Sequence, residues 1–171
     1  METFTIGIIG LGLVGGSLGL DFAAWAKKEK IIGYDVSEEV ARKAKERGAV
    51  DCLGKSVAEV AQESDLIFIA TPVRKIPQIF RTIQPFLREG ARVFDTGSSK
   101  EWIFEEIHPE NLDVEYIGFH PMGGAEKGGI EGARAGLFRN MPLLIVPGKL
   151  RDGTEELLLE LGEVVGGKVF F

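Results

Sequence analysis

Two groups of residues in this sequence have the types and spacing for chemistry. Gly10, Gly12 and Gly15 form a G-x-G-x-x-G motif that follows the apolar run Phe4 to Ile9 and opens a helix-like segment. In that setting Gly10 allows a tight turn, Gly12 lets the backbone approach a pyrophosphate, and Gly15 lets a helix pack closely on a strand. Amides around Leu11, Leu13 and Val14 would then face the phosphates at the favourable end of a helix dipole. A glycine-rich turn that serves packing alone is the alternative. Asp35 lies 25 residues beyond Gly10, at the end of a second strand-like run. A carboxylate there accepts hydrogen bonds from adenosine ribose hydroxyls. Its charge would repel a 2′-phosphate, and no arginine immediately follows, which favours NAD over NADP. A solvent-facing strand-end acid is the competing reading.

The second group centres on His120, which follows the strand-like YIGF and precedes a proline that biases it toward extended backbone. An imidazole at the mouth of an α/β crevice is a natural proton acceptor for an alcohol undergoing oxidation. Position alone leaves a packed or surface histidine equally open. The other histidine, His108, sits in the polar stretch HPENLD and reads as a surface turn residue. The single cysteine, Cys52, is isolated, and no tight ligand spacing links it to the histidines, so no metal site is expected.

The elements that must position these residues follow from periodicity. Strands are expected at Phe4 to Ile9, Ile31 to Tyr34, Ala49 to Leu53, Leu66 to Ala70, Ala91 to Phe94, Glu115 to Gly118, Leu143 to Val146 and Lys168 to Phe171. Helices are expected from Val14 to Lys28, from a cap at Ser37 to Arg47, over Ser56 to Gln62, across Ile76 to Leu87 and over Trp102 to Ile107. A last helix should be capped reciprocally by Asp152 and Glu155. The alternation predicts one α/β domain over residues 1–171: a Rossmann-type, doubly wound, mostly parallel sheet with helices on both faces. Gly118 to Ala133, with six glycines, reads as an irregular loop at the carboxyl end of that sheet.

Bulk properties agree with this picture. A chain of 171 residues with 44% hydrophobic content buries a substantial core without disulfides. The net charge of −6 and scattered basic residues argue against a nucleic-acid partner. No apolar run reaches the roughly 18 residues of a membrane span, and the first residues resemble no secretory signal. A cytoplasmic location is expected.

The segments IIGLGLVGGSLG, IFIATPV, DTGSSK and YIGFHPMGGAEKGG together resemble the prephenate and arogenate dehydrogenase family of tyrosine biosynthesis. The first is generic to dehydrogenases. The D-x-G-S-x-K segment followed by G-x-H-P-M-x-G-x-E-K-x-G is far more specific, and the resemblance runs from Ile8 to Pro147. It implies NAD as cofactor, His120 as the catalytic base, and Ser98 as the hydroxyl that hydrogen-bonds and orients it. Thr71 and Pro72 match a strand-end segment beside the nicotinamide ribose. Lys100, Gly124, Ala125, Glu126 and Lys127 fall on the remaining signature positions, in substrate binding or loop support. Lys100 also reads as a salt-bridging strut, and Asp95 as an organiser of its loop. The family commonly has a hydroxyl residue where Ala125 stands, and often a serine at Gly129.

The implied reaction is oxidative decarboxylation of a cyclohexadienyl substrate, giving 4-hydroxyphenylpyruvate from prephenate or tyrosine from arogenate. In the family this domain is followed by a helical domain that forms a homodimer interface and supplies basic groups for substrate carboxylates. Only KVFF follows Gly167, so an incomplete enzyme that binds NAD and turns over poorly is expected. Two other readings remain: a β-hydroxyacid-type dehydrogenase, which would use a lysine base, and a non-catalytic NAD-binding regulatory module.

Overall fold

A computed structural model describes residues 1–171. Eight strands form one sheet: β1 (Phe4–Ile9), β2 (Lys28–Tyr34), β3 (Cys52–Leu53), β4 (Leu66–Ile69), β5 (Arg92–Asp95), β6 (Glu115–Pro121), β7 (Pro142–Pro147) and β8 (Lys168–Phe170). Their spatial order is β3-β2-β1-β4-β5-β6-β7-β8. Every neighbouring pair is parallel except β6 with β7. The order reverses between β1 and β4, so a crevice opens there at the carboxyl ends of the strands.

Seven helices cover the sheet: α1 (Leu13–Phe22), α2 (Glu38–Glu46), α3 (Val57–Glu63), α4 (Ile76–Ile83), α5 (Lys100–Ile107), α6 (Gly129–Gly132) and α7 (Thr154–Val165). Apolar side chains of α1, α2, α6 and α7 pack on one face, and those of α3, α4 and α5 on the other. On the first face Phe68 stacks on Phe94 with centroids 4.5 Å apart, and Phe119 meets Phe68 edge-on at 5.5 Å. These rings fasten β4, β5 and β6 together, and those strands end at the candidate site. Such pairs add about 1 kcal/mol each beyond simple burial.

The alternation of strand and helix agrees with the sequence reading, although β3 is reduced to Cys52–Leu53 and the helix expected across Ile76 to Leu87 ends at Ile83, before a 3-10 turn at Gln84–Phe86. Three further corrections apply. Helix α1 stops at Phe22, not Lys28. The chain turns there so that Trp25 stacks on Phe4 at 5.6 Å and donates its indole N–H to Glu160, while Lys28 already pairs with β1. Strand β6 runs on to Pro121, because β7 pairs with it antiparallel through His120 and Pro121. His120 therefore stands on the strand itself, and the irregular stretch is shorter than expected and includes α6. Finally, Gly153 in the left-handed region caps α7, and Asp152 makes no capping hydrogen bond. The buried hydroxyl of Thr154, the first helical residue, accepts from Arg92 Nε at 3.0 Å.

No helix is long and apolar enough to cross a membrane.

Candidate active site

The glycine motif is divided by geometry into three roles. Gly10 has φ of +95°, and a Cβ there would lie 2.6 Å from the Ala70 carbonyl oxygen. Only glycine tolerates both demands. A Cβ on Gly15 would fall within the radius of the Gly10 carbonyl oxygen, so this glycine brings α1 against the end of β1. Gly12 has open space where a Cβ would stand. Helix α1 has no side-chain cap at Gly12, and the amides of Leu13 and Val14 lack partners, the Gly16 amide being the first to bond back, to the Gly12 carbonyl. Open space beside unpaired amides fits a phosphate group.

Asp35 ties this loop to β2. One carboxylate oxygen accepts the Leu11 amide at 2.8 Å and the other accepts the Ser37 amide at 2.9 Å. Each oxygen keeps a second lone pair for a hydroxyl donor. Thr71 and Pro72 follow Ala70 at the end of β4, beside Gly10, where an added Cβ would lie 3.0 Å from the Thr71 methyl.

On the other side of the crevice, Ser98 follows β5 and His120 sits near the end of β6. His120 is half-buried, and its Nδ1 lies 3.0 Å from the backbone carbonyl of Thr96. A carbonyl only accepts, so Nδ1 carries a proton, and in the neutral ring the lone pair is left on Nε2. The expected Ser98–His120 hydrogen bond is absent: Ser98 is exposed, and Nδ1 is taken by the carbonyl two residues earlier. A backbone oxygen offers no residue type to find, so the sequence reading missed Thr96.

Lys100 turns inward. Its ammonium pairs with the Asp95 carboxylate and also reaches the Asp95 carbonyl at 3.2 Å. Burial lowers its affinity for a proton, partly offset by Asp95. Tyr116, buried beneath, has its hydroxyl pushed up by burial first and by Asp95 second.

The signature loop after Pro121 is held at both ends. Met122 N donates to the Pro142 carbonyl at 2.9 Å. At the far end Arg47 donates to the carbonyls of Ile130 and Ala133, and Lys43 pairs with Glu131 at 2.7 Å. Arg47 and Lys43, on or just after α2, were absent from the sequence reading because charges on an exposed helix face read as solvated. Between these anchors Gly124, Glu126 and Lys127 are exposed, while the Ala125 methyl is half-buried against the core and near Gly132.

Comparison with known proteins gives the arrangement a family. Residues 18–171 match the model described as prephenate dehydrogenase, nucleotide-binding domain. The chain belongs to that family. A prephenate dehydrogenase of Lactococcus lactis is 37% identical over 136 residues, which is 78% of this chain and 38% of that protein. Among solved structures, Synechocystis arogenate dehydrogenase superposes with a TM-score of 0.82 at 30% identity, covering 97% of this chain and 58% of that one. Prephenate dehydrogenase from Aquifex aeolicus, in complex with hydroxyphenyl propionate and NAD+, gives 0.83 at 28% identity, covering 99% and 60%. This chain thus spans only part of the length of each. No group of acidic, cysteine and histidine side chains is placed to hold a metal ion.

Proposed function

We propose that the chain binds NAD across this crevice and supplies the proton acceptor for oxidative decarboxylation of prephenate or arogenate. The observation that carries the reading is the orientation of His120. With Nδ1 committed to Thr96, the basic Nε2 is left free near the carboxyl end of β6, beside the dinucleotide crevice.

The uncapped amides of α1 and the space at Gly12 would hold the pyrophosphate, and Asp35 the adenosine ribose. Thr71 and Pro72 would flank the nicotinamide ribose. Bound NAD supplies a hydride acceptor. His120 Nε2 takes the proton of the ring C4 hydroxyl while the C4 hydrogen departs as hydride. The C1 carboxylate then leaves as carbon dioxide, its bonding electrons entering the ring, which becomes aromatic. Aromatisation drives the reaction, so the residues need mainly align one hydride and remove one proton. Leu144, the cross-strand partner of His120, presents an exposed apolar side chain next to the base, suited to a six-carbon ring. Ser98, Glu126 and Lys127 are the polar groups free to meet the substrate's substituents.

Calorimetric titration with NAD and NADP, followed by product analysis with prephenate and arogenate on the full-length gene product, tests the reading. Tighter binding of NAD and formation of 4-hydroxyphenylpyruvate or tyrosine are expected. A tighter NADP constant overturns the cofactor assignment. Oxidation of 3-hydroxy acids in place of these substrates would assign the protein to the lysine-based dehydrogenases.

A further inference from the structure

Strand β6 presents Tyr116, Gly118 and His120 on one face, and Asp95 on β5 is the register partner of Gly118. The side chain of Lys100 crosses this face at Gly118. A Cβ on residue 118 would lie 2.8 Å from both Cδ and Cε of the lysine, so glycine is what leaves it a path. The ammonium ends on Asp95, which is fully buried, and the Lys100 side chain itself is only 15% exposed. Asp95 Oδ1 also accepts the Gly97 amide at 2.9 Å, closing a turn across Thr96. The Thr96 amide donates to the Ile69 carbonyl at 3.1 Å. Thr96 is thereby pinned from both sides, and its own carbonyl meets His120 Nδ1.

We propose that Asp95 and Lys100 are positioning residues that set the tautomer of His120 through the Thr96 carbonyl, and that Lys100 contacts neither substrate nor cofactor. The proposal rests on the reading above only for the task given to His120. Lys100 already gives two of its three donors to Asp95 oxygens and faces inward, whereas Lys127 is exposed on the signature loop. Without the ammonium, Asp95 would be a buried carboxylate with no cation. One of its oxygens already lacks a partner, as does the nearby Tyr116 hydroxyl. A buried charge stripped of its counter-ion is strongly disfavoured, so the turn across Thr96 must rearrange or Asp95 must take up a proton.

The test uses this chain labelled with 15N-histidine and long-range proton–nitrogen spectra at a pH above imidazole titration. The only other histidine signal, from exposed His108, is assigned with His108→Gln. The parent should show His120 protonated at Nδ1. In Lys100→Met the stem over Gly118 is kept and the charge is lost. The Nε2-protonated form of His120 should then become the larger fraction, while the NAD dissociation constant stays within about twofold. Asp95→Asn, which retains an acceptor for the Gly97 amide, should move the equilibrium in the same direction by less. A folded Lys100→Met protein whose His120 stays protonated at Nδ1 overturns the proposal. So does a large loss of NAD affinity with the tautomer unchanged, since that makes Lys100 a ligand contact. If Lys100→Met does not fold, the Asp95→Asn spectrum decides by the same criterion. Failure of the parent to bind NAD would remove the proposed function and leave the tautomer measurement standing.

Discussion

At the β1–β2 end of the crevice the site is shaped by side chains that are missing, whereas at the β5–β6 end it depends on side chains aimed by backbone oxygens. Gly10, Gly12 and Gly15 each omit a Cβ for a different reason: a left-handed turn, open space, and helix–strand contact. His120 Nδ1 lies on the Thr96 carbonyl, and the turn across Thr96 is closed by Asp95, the carboxylate that pairs with Lys100. The β5–β6 end should be sensitive to residues that never touch a ligand.

The largest expected effect separates two glycines of one motif. Gly15→Ala places a methyl on the Gly10 carbonyl oxygen and should destabilise the fold by about 3 kcal/mol or more, since backbone must move. Gly12→Ala meets nothing, so urea unfolding should be nearly unchanged while NAD affinity falls. Equal unfolding midpoints for the two variants would erase the distinction. The counterpart at the other end is His120→Ala, which should lower turnover of the full-length gene product about 100-fold, the scale of a lost general base. Its NAD affinity and stability should barely move. Near-normal turnover would take His120 out of the mechanism.

The difference between the two ends also explains what was legible in the sequence. A glycine that must be glycine leaves its mark in residue type, so the motif, the strand before it and Asp35 were readable together. The sheet was readable because its parallel strands are short apolar runs. Ser98 was expected to orient His120 because the family resemblance puts a serine partner there; in this structure His120 Nδ1 lies on the Thr96 carbonyl, which no residue type in the sequence marks. The extension of β6 to Pro121 was hidden because it depends on β7, more than twenty residues away in sequence. Arg47 was hidden for the same reason, its partners being the carbonyls of Ile130 and Ala133.

Asp35 offers a finer test, because it organises the loop and is also the residue proposed to read the ribose. Asp35→Ser loses the acceptors for the Leu11 and Ser37 amides as well as the charge. NAD affinity should fall about tenfold, the scale of a charge-assisted hydrogen bond. NADP affinity should fall less, narrowing the gap between the two cofactors. A loss of the same factor for both cofactors would restrict Asp35 to loop support.

The smallest effect lies at the seam between the two ends. Asp21, on α1, accepts the Gly136 amide at 2.9 Å, and so joins the cofactor helix to the segment that follows α6. Its second oxygen is buried without a partner. Burial pushes its carboxyl up to about 6, although the Gly136 amide and nearby Arg139 pull the other way. The folded protein therefore holds this proton more tightly than the unfolded chain, in which the group titrates near 3.8. Stability from this site is greatest below pH 4, declines as pH rises toward 6, and is level above that. The shift corresponds to about 3 kcal/mol as a ceiling, and solvent screening brings the expected figure to about 1–2 kcal/mol. Asp21→Asn keeps an oxygen for Gly136 and carries no charge. It should be more stable than the parent by that amount in urea unfolding at pH 8, and the advantage should shrink steadily between pH 6 and pH 4. An Asp21→Asn protein less stable than the parent at pH 8 would mean that the carboxylate's attraction to Arg139 outweighs its burial. The seam would then be held by an ion pair, and α1 and the segment after α6 should separate on adding salt.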